Sequence, residues 1–197
     1  MGEGVDIRPA YAADIPWLAE MFLQSSHGVI EWLYQGAIPG RPSNIIVEHL
    51  FTRFGTALSF SNCWVALEEK RVAGVLHAAP SNLMIGGPPD LLIPEERRKA
   101  NDPYSRLRTP DTFHIISVAV AEGRRGRGTG ERLMHEAEVQ AARLELSQLT
   151  LNVVESNTGA IRLYQRLGYR EVTRERVSIP DTLEGDVIHM ALLLESR

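Results

Sequence analysis

The junction between Phe113–Val120 (FHIISVAV) and the segment that follows it limits the fold more than any other stretch of the chain. The first part is rich in β-branched residues and reads as a strand. The segment from Thr129 onward places Leu133, Ala137, Ala141 and Leu144 on one stripe and reads as a helix. A second strand, LTLNVV at 149–154, follows that helix. A strand, a helix and a strand in one sheet imply a parallel crossover, and hence an α/β fold. Between the first strand and the helix lies Arg125-Gly126-Arg127-Gly128-Thr129-Gly130. Its alternating glycines let the backbone turn sharply and approach a ligand closely. Several N–H groups can then gather at the positive end of the helix, which suits a pyrophosphate. Arg124, Arg125 and Arg127 add positive charge around them. The alternative is a glycine-softened loop with a solvated basic run.

Two familiar phosphate loops fail here. A dinucleotide fingerprint needs a third glycine at 131 or 133, which are Glu and Leu. A P-loop needs a lysine after Gly128, and Thr129 stands there instead.

The rest of the chain builds around the crossover. Residues 5–8 read as a strand and DIPWLAEMFLQSS as a helix that Asp14 can cap, with Ile15, Leu18 and Phe22 on one face. SNIIVEHLFTRFG reads as a second helix ended by Gly55. CWVALEEKRVAGVLHAA gives two strands joined by a tight turn at Glu69–Lys70. Prolines crowd residues 79–112, an insertion with room for one short helix. SNTGAIRLYQRLGY is a helix capped by Ser156 or Asn157, and two strands close the chain. The expected fold is a single α/β domain over residues 1–197, with a mixed, mostly antiparallel twisted sheet flanked by helices.

Composition excludes several classes. The chain has 197 residues, enough for one full core. A net charge of −4 gives no bulk case for nucleic-acid binding. The single cysteine, Cys63, forms no internal disulfide and reads as buried and inert. No apolar run reaches the roughly 18 residues of a membrane span, and the amino-terminal residues lack a signal pattern. Gly2 suggests lipidation, but Asp6 stands where Ser or Thr is needed. A cytoplasmic location is expected.

The sequence R-x-x-G-x-G after SVAV, a helix, and then LNVVESNTGAIRLYQRLGY resembles the GCN5-related N-acetyltransferase (GNAT) superfamily. The resemblance extends to VDIRPAYAADIPWLAEMF as opening strand and helix and DVIHMALLL as closing strand. It implies acetyl-coenzyme A as co-substrate, no metal, and an amine acceptor on a small molecule or peptide. It also implies a V-shaped opening between the strand ending at Val120 and the strand at 149–154. Val118 would aim its N–H at the thioester oxygen, and Val118, Ala119 and Val120 would flank the pantetheine arm. Arg125, Gly126, Arg127, Gly128, Thr129, Gly130 and Glu131 would hold the pyrophosphate, Asn157 would contact the pantetheine or cap its helix, and Tyr164 would protonate the leaving thiolate. Tyr164 could instead be a core aromatic beside Ala160, Ile161 and Leu167.

One departure concerns the general base. Some relatives place a glutamate where this chain has Asn152, which cannot act as a base. His114 is the best replacement, on strand parity with Val118 and Val120; His77, Glu155 and a water chain are alternatives. Glu31 with Tyr34, and Asp102 with Tyr104, could line an acceptor site. Arg97, Arg98, Arg106 and Arg108 could favour an anionic substrate or form a solvated face. Direct transfer is expected, since Cys63 is far from the cleft. A non-catalytic acyl-coenzyme A sensor and a transferase for a bulkier acyl group are the alternatives. An exposed closing strand would suit a homodimer.

Overall fold

The computed structural model describes residues 5–194; the Gly2 motif lies outside them. Seven strands form one sheet: β1 (Asp6–Pro9), β2 (Cys63–Glu68), β3 (Arg71–Pro80), β4 (Phe113–Val120), β5 (Gln148–Val154), β6 (Arg170–Ile179) and β7 (Leu183–Leu193). Their spatial order is β1-β2-β3-β4-β5-β7-β6. Only β4 and β5 pair in parallel; every other neighbouring pair is antiparallel. The helices are α1 (Ile15–Ser25), α2 (Val29–Tyr34), α3 (Ser43–Phe51), α4 (Glu95–Ser105), α5 (Thr129–Arg143) and α6 (Thr158–Arg166). Among the described residues no helix is long and apolar enough to cross a membrane.

The two sheet faces bury different side chains. On one face, Leu133, Met134, Ala137 and Ala141 of α5 pack with Leu76, Ile115, Leu149 and Leu151. On the other, Leu18 and Phe22 of α1 and Val47 and Phe51 of α3 cover Cys63, Val65 and Val75. The α5 stripe thus follows its helical spacing, except that Leu144 falls past the last turn and is exposed. Gly74 of β3 is where α5 comes closest. A Cβ there would stand 2.8 Å from the Ala119 carbonyl oxygen and 3.0 Å from Leu133 Cδ1. Cys63 is buried, and burial pushes its thiol pKa up, so it stays protonated and inert.

Three features depart from the sequence reading. The closing strand is not an edge: β7 lies between β5 and β6 and pairs along its length with both. The edge on this side is β6, mostly exposed and dense in arginine and glutamate, a composition that discourages strand pairing with another chain. Residues 79 and 80 belong to β3, so the insertion starts one turn later, and it holds α4. Short α2 carries no strong apolar period, and its place is set by packing of Val29, Leu33 and Tyr34 against Leu107 and Val187.

The sheet opens in its middle. β4 and β5 pair only from Phe113–Leu149 to Ile115–Leu151, although the strands continue to Val120 and Val154. A bulge accompanies the parting. His77 pairs with Ser117 while Ala78 pairs with Ile115, leaving Ile116 as the extra residue. A bulge bends its strand and strengthens the local twist, so β4 turns away from β5 beyond it.

Candidate active site

The parted strands form one wall each of a cleft of about 1110 Å³. Its remaining walls are the amino-terminal turns of α5 and α6, the end of α1, the start of α2, and the segment after α4.

On the β4 side the backbone is left free by the splay. The Ala121 N–H bonds Ala73 O at 2.8 Å, toward β3. N–H groups alternate sides along an extended strand, so those of Ala119 and Ser117 also point toward β3. Those of Val118 and Val120 therefore point into the cleft. A donor row with no strand beside it can pair with an extended ligand chain, as in strand addition.

Below this edge lies the glycine loop. Gly126 and Gly128 have φ of 77° and 85°, which glycine alone adopts without strain. A Cβ at either would meet nothing within 4 Å, because both face the open cleft. The first hydrogen bond of α5 runs from Arg132 N–H to Gly128 O at 3.1 Å, and no side chain caps the helix. The earlier N–H groups are left for a ligand, in the concave form that takes an anion. A pyrophosphate fits this concavity.

The loop is held from behind by a group that the sequence reading missed. Glu68, at the end of β2, accepts from the Thr129 hydroxyl at 2.6 Å and from Arg124 Nη1 at 3.1 Å. These partners hold its carboxyl pKa below the usual range, the Thr129 bond most of all. Arg124 also faces Glu69 at 3.5 Å, so it braces the loop rather than supplying free charge. Thr129 is buried, and its side chain belongs to this brace. Arg125, Gly126, Gly128, Thr129, Gly130 and Glu131 all line the cleft; Arg127 is exposed and does not. Arg166, not foreseen, lines it too and reaches Glu131 at 3.3 Å.

Tyr164 and Asn157 face the cleft from α6. Asn157 Oδ1 accepts from the Ala160 N–H at 3.2 Å, so its carbonyl caps the helix and its amide N–H₂ is free. Tyr164 is 7% exposed, with its ring 5.9 Å from that of Tyr169. Among the described residues no side-chain hydrogen bond acts on its hydroxyl, and the Tyr164 pKa is pushed up to about 12, chiefly by burial. It is therefore a protonated phenol at neutral pH, with its proton available to the cleft.

His114 sits at the junction of the strands. The bulge at Ile116 changes its parity: it pairs with Ala79, on the side of His77 and Val75, while Val118 pairs with Leu76 on the other. Simple alternation thus fails, yet His114 lines the cleft because it stands where β4 and β5 part. Its hydrogen-bond chain fixes its tautomer. The Thr112 hydroxyl donates to Thr109 O at 2.9 Å, so Thr112 must accept from the Thr150 hydroxyl at 3.0 Å. Thr150 in turn must accept from His114 Nδ1–H at 2.9 Å. The lone pair of His114 is therefore on Nε2; among the described residues the ring's protein hydrogen bond is the one through Nδ1. Burial, with the positive charge of Arg108 nearby, holds His114 well below its ordinary pKa and so neutral.

A second histidine supports the first. His189 of β7 stacks on His114, with centroids 6.2 Å apart and planes 20° apart. The Asn152 amide donates to Leu107 O at 3.1 Å, so Asn152 Oδ1 accepts from His189 Nδ1–H at 2.7 Å. His189 Nε2 then accepts from the Thr109 hydroxyl at 2.9 Å. Asn152 thus ties the insertion to the sheet.

The other candidates fall elsewhere. His77 is enclosed between Phe22 and Phe51, and its Nε2 bonds Ala57 O at 2.8 Å. Glu155 pairs with Arg174 at 3.0 Å outside the cleft, and Tyr34 donates to Asp90 at 2.8 Å. Glu31 accepts from Ser26 at 3.1 Å, Asp102 is exposed, and Tyr104 alone of those four lines the cleft.

Comparison with known proteins agrees with this geometry. The model of the Acetyltransferase (GNAT) family matches residues 33–169, more than half of the chain. Among solved structures, an N-acetyltransferase from Staphylococcus aureus Mu50 superposes with a TM-score of 0.69 at 18% identity, over 95% of this chain and 100% of that one. A putative acetyltransferase from Salmonella typhimurium, solved with its cofactor acetyl-CoA, gives 0.62 at 19% identity, over 99% and 96%. A polyamine N-acetyltransferase from Drosophila melanogaster gives 0.60 at 19%, over 97% and 100%. Identities this low speak for the fold alone. No curated protein matches the sequence. The family match, the strand splay and the glycine loop coincide on the same residues, and the chain belongs to the GNAT family of acetyltransferases.

Proposed function

We propose that the chain is a direct N-acetyltransferase that moves an acetyl group from acetyl-CoA to a primary amine of a small molecule or peptide. The observation that carries the reading is a single cleft bounded by three complementary groups. These are the free N–H edge of β4, a protonated phenol at Tyr164 and an unpaired imidazole nitrogen at His114.

The roles follow from chemistry. His114 Nε2 takes the proton that the amine loses as the new N–C bond forms. The Val118 N–H meets the oxygen on which negative charge develops, and a fixed donor there is worth about 3 kcal/mol. Tyr164 gives its proton to sulfur as the C–S bond breaks. An amide and a free thiol result. The proton on His114 then balances the one that Tyr164 has lost. The loop N–H groups from Gly126 to Glu131 bind the pyrophosphate and set the depth of the thioester. No protein nucleophile is required.

The test is thiol release from acetyl-CoA with a panel of amines, with mass measurement of acceptor and protein. Direct transfer gives an acetylated acceptor, intersecting double-reciprocal plots and unmodified protein. Parallel plots with an acetylated protein would refute it. Tight acetyl-CoA binding with no amine turned over would leave a sensor instead.

A further inference from the structure

The acceptor end of the cleft has an unusual charge arrangement. Arg108, just after α4, lines the cleft and is half-buried. Among the described residues its one protein hydrogen bond is from Nη1 to Leu107 O at 2.8 Å, and its guanidinium lies 5.8 Å from the ring centre of Tyr104. Among the described residues no carboxylate pairs with it. A guanidinium remains charged in a protein, and a charge partly withdrawn from water favours a ligand that completes its hydrogen bonds. Most of its planar fork of N–H donors is unused, in the geometry that takes a carboxylate by two parallel bonds.

The other arginines of the insertion do not share this position. Arg97 donates to Gln35 O at 2.6 Å and Arg98 to Ile93 O at 2.6 Å, which ties down loops, while Arg106 is exposed. Among the described residues the cleft has no acid to offset Arg108 at this end: the one acidic wall residue is Glu131, at the start of α5 beside the glycine loop. A di- or polyamine would therefore find no anion for its second cationic group. Apolar side chains such as Phe22, Ile30 and Leu33 complete the wall.

We propose that the acceptor is an amine that also carries a carboxylate, of the apolar amino-acid class, and that Arg108 holds the carboxylate while the amine faces His114. The inference rests on the N-acetyl transfer proposed above. Arg108 is then a specificity-determining residue, and the anion that it binds also offsets the positive charge beside the two stacked histidines.

The experiment compares acceptors that differ only in the carboxylate: L-leucine against isoamylamine, and L-phenylalanine against phenethylamine. Acetylation of each is followed by thiol release, and binding of each to the coenzyme A complex by calorimetry. The expected result is that each amino acid exceeds its decarboxylated counterpart by at least about 30-fold in kcat/KM. Arg108→Met should remove that preference, chiefly through KM, and leave acetyl-CoA affinity within about threefold. Arg108→Lys should restore part of it, since charge is kept and the fork lost. Equal or better use of the simple amines, or an Arg108→Met loss shared equally by both members of a pair, would overturn the proposal. Binding distinguishes this failure from that of the transfer reading. Amino acids that bind only with Arg108 present but are not acetylated would uphold the carboxylate site and sink the transferase. Binding of neither probe class would overturn the carboxylate site itself.

Discussion

Replacing Tyr164 by phenylalanine removes one oxygen from a side chain whose ring is held by packing. The ring is buried against Tyr169, at 5.9 Å between centroids, and stays so in the variant. No side-chain hydrogen bond acts on the hydroxyl among the described residues, so its loss leaves no protein group unsatisfied and should alter stability by less than about 1 kcal/mol. The effect on chemistry is much larger. A thiol such as cysteine ionises near pH 8.5, and without a donor the sulfur must leave as a thiolate near neutrality. General-acid assistance is worth about 10²- to 10⁴-fold, or about 3 to 5 kcal/mol. Since burial pushes Tyr164 up to about 12, the wild-type donor stays protonated through the neutral and moderately alkaline range. Steady-state thiol release should therefore show kcat reduced at least about 100-fold from about pH 6 to 9. Calorimetry should show coenzyme A affinity within about threefold, and circular dichroism an unchanged melting profile. A variant with kcat within about threefold of wild type across that range would remove Tyr164 from proton transfer.

Other outcomes are expected together. Gly128→Val should abolish acetyl-CoA binding in a titration while the far-ultraviolet spectrum persists, because its Cβ would enter open cleft space at φ of 85°. Binding at wild-type affinity would contradict the cradle. His114→Gln should lower kcat by about 10²-fold or more; in the wild type, kcat at saturating acceptor should hold well below pH 6.5, since His114 is kept neutral there by burial. A limb near pH 6.5 that vanished in the variant would contradict the buried tautomer. His77 titrates near 4 when folded and near 6.5 when unfolded, so the unfolded chain binds its proton first and stability declines as pH falls through that window. The loss is about 3 kcal/mol by pH 4 from this group, and denaturant unfolding of His77→Gln should show a shallower decline.

Much of the fold was legible because its signals are local. The strand, glycine loop and helix from Phe113 to Arg143 carry their own periodicities, and the crossover to β5 follows from them. The positions of Tyr164 and Asn157 on a capped helix were legible for the same reason. What was hidden depends on pairing between distant segments. The bulge at Ile116 is a mismatch of register with β3, and it reverses the strand parity expected for His114. The Glu68 brace joins residues 61 positions apart. The place of β7 between β5 and β6 follows from tertiary packing, not from chain order. Four arginines of the insertion look alike as letters; only their contacts separate Arg108 from the rest. Tautomers, likewise, are set by threonine hydroxyls from separate strands and loops.

Whether the parted strands and the glycine loop bind acetyl-CoA is decided by calorimetric titration of the protein with acetyl-CoA, with free coenzyme A and NAD as comparators. Saturable micromolar binding of acetyl-CoA and coenzyme A at one site per chain is expected, and none for NAD. No binding of either coenzyme A form would mean that the loop is only a turn, and the roles assigned to Val118, His114 and Tyr164 would lose their basis.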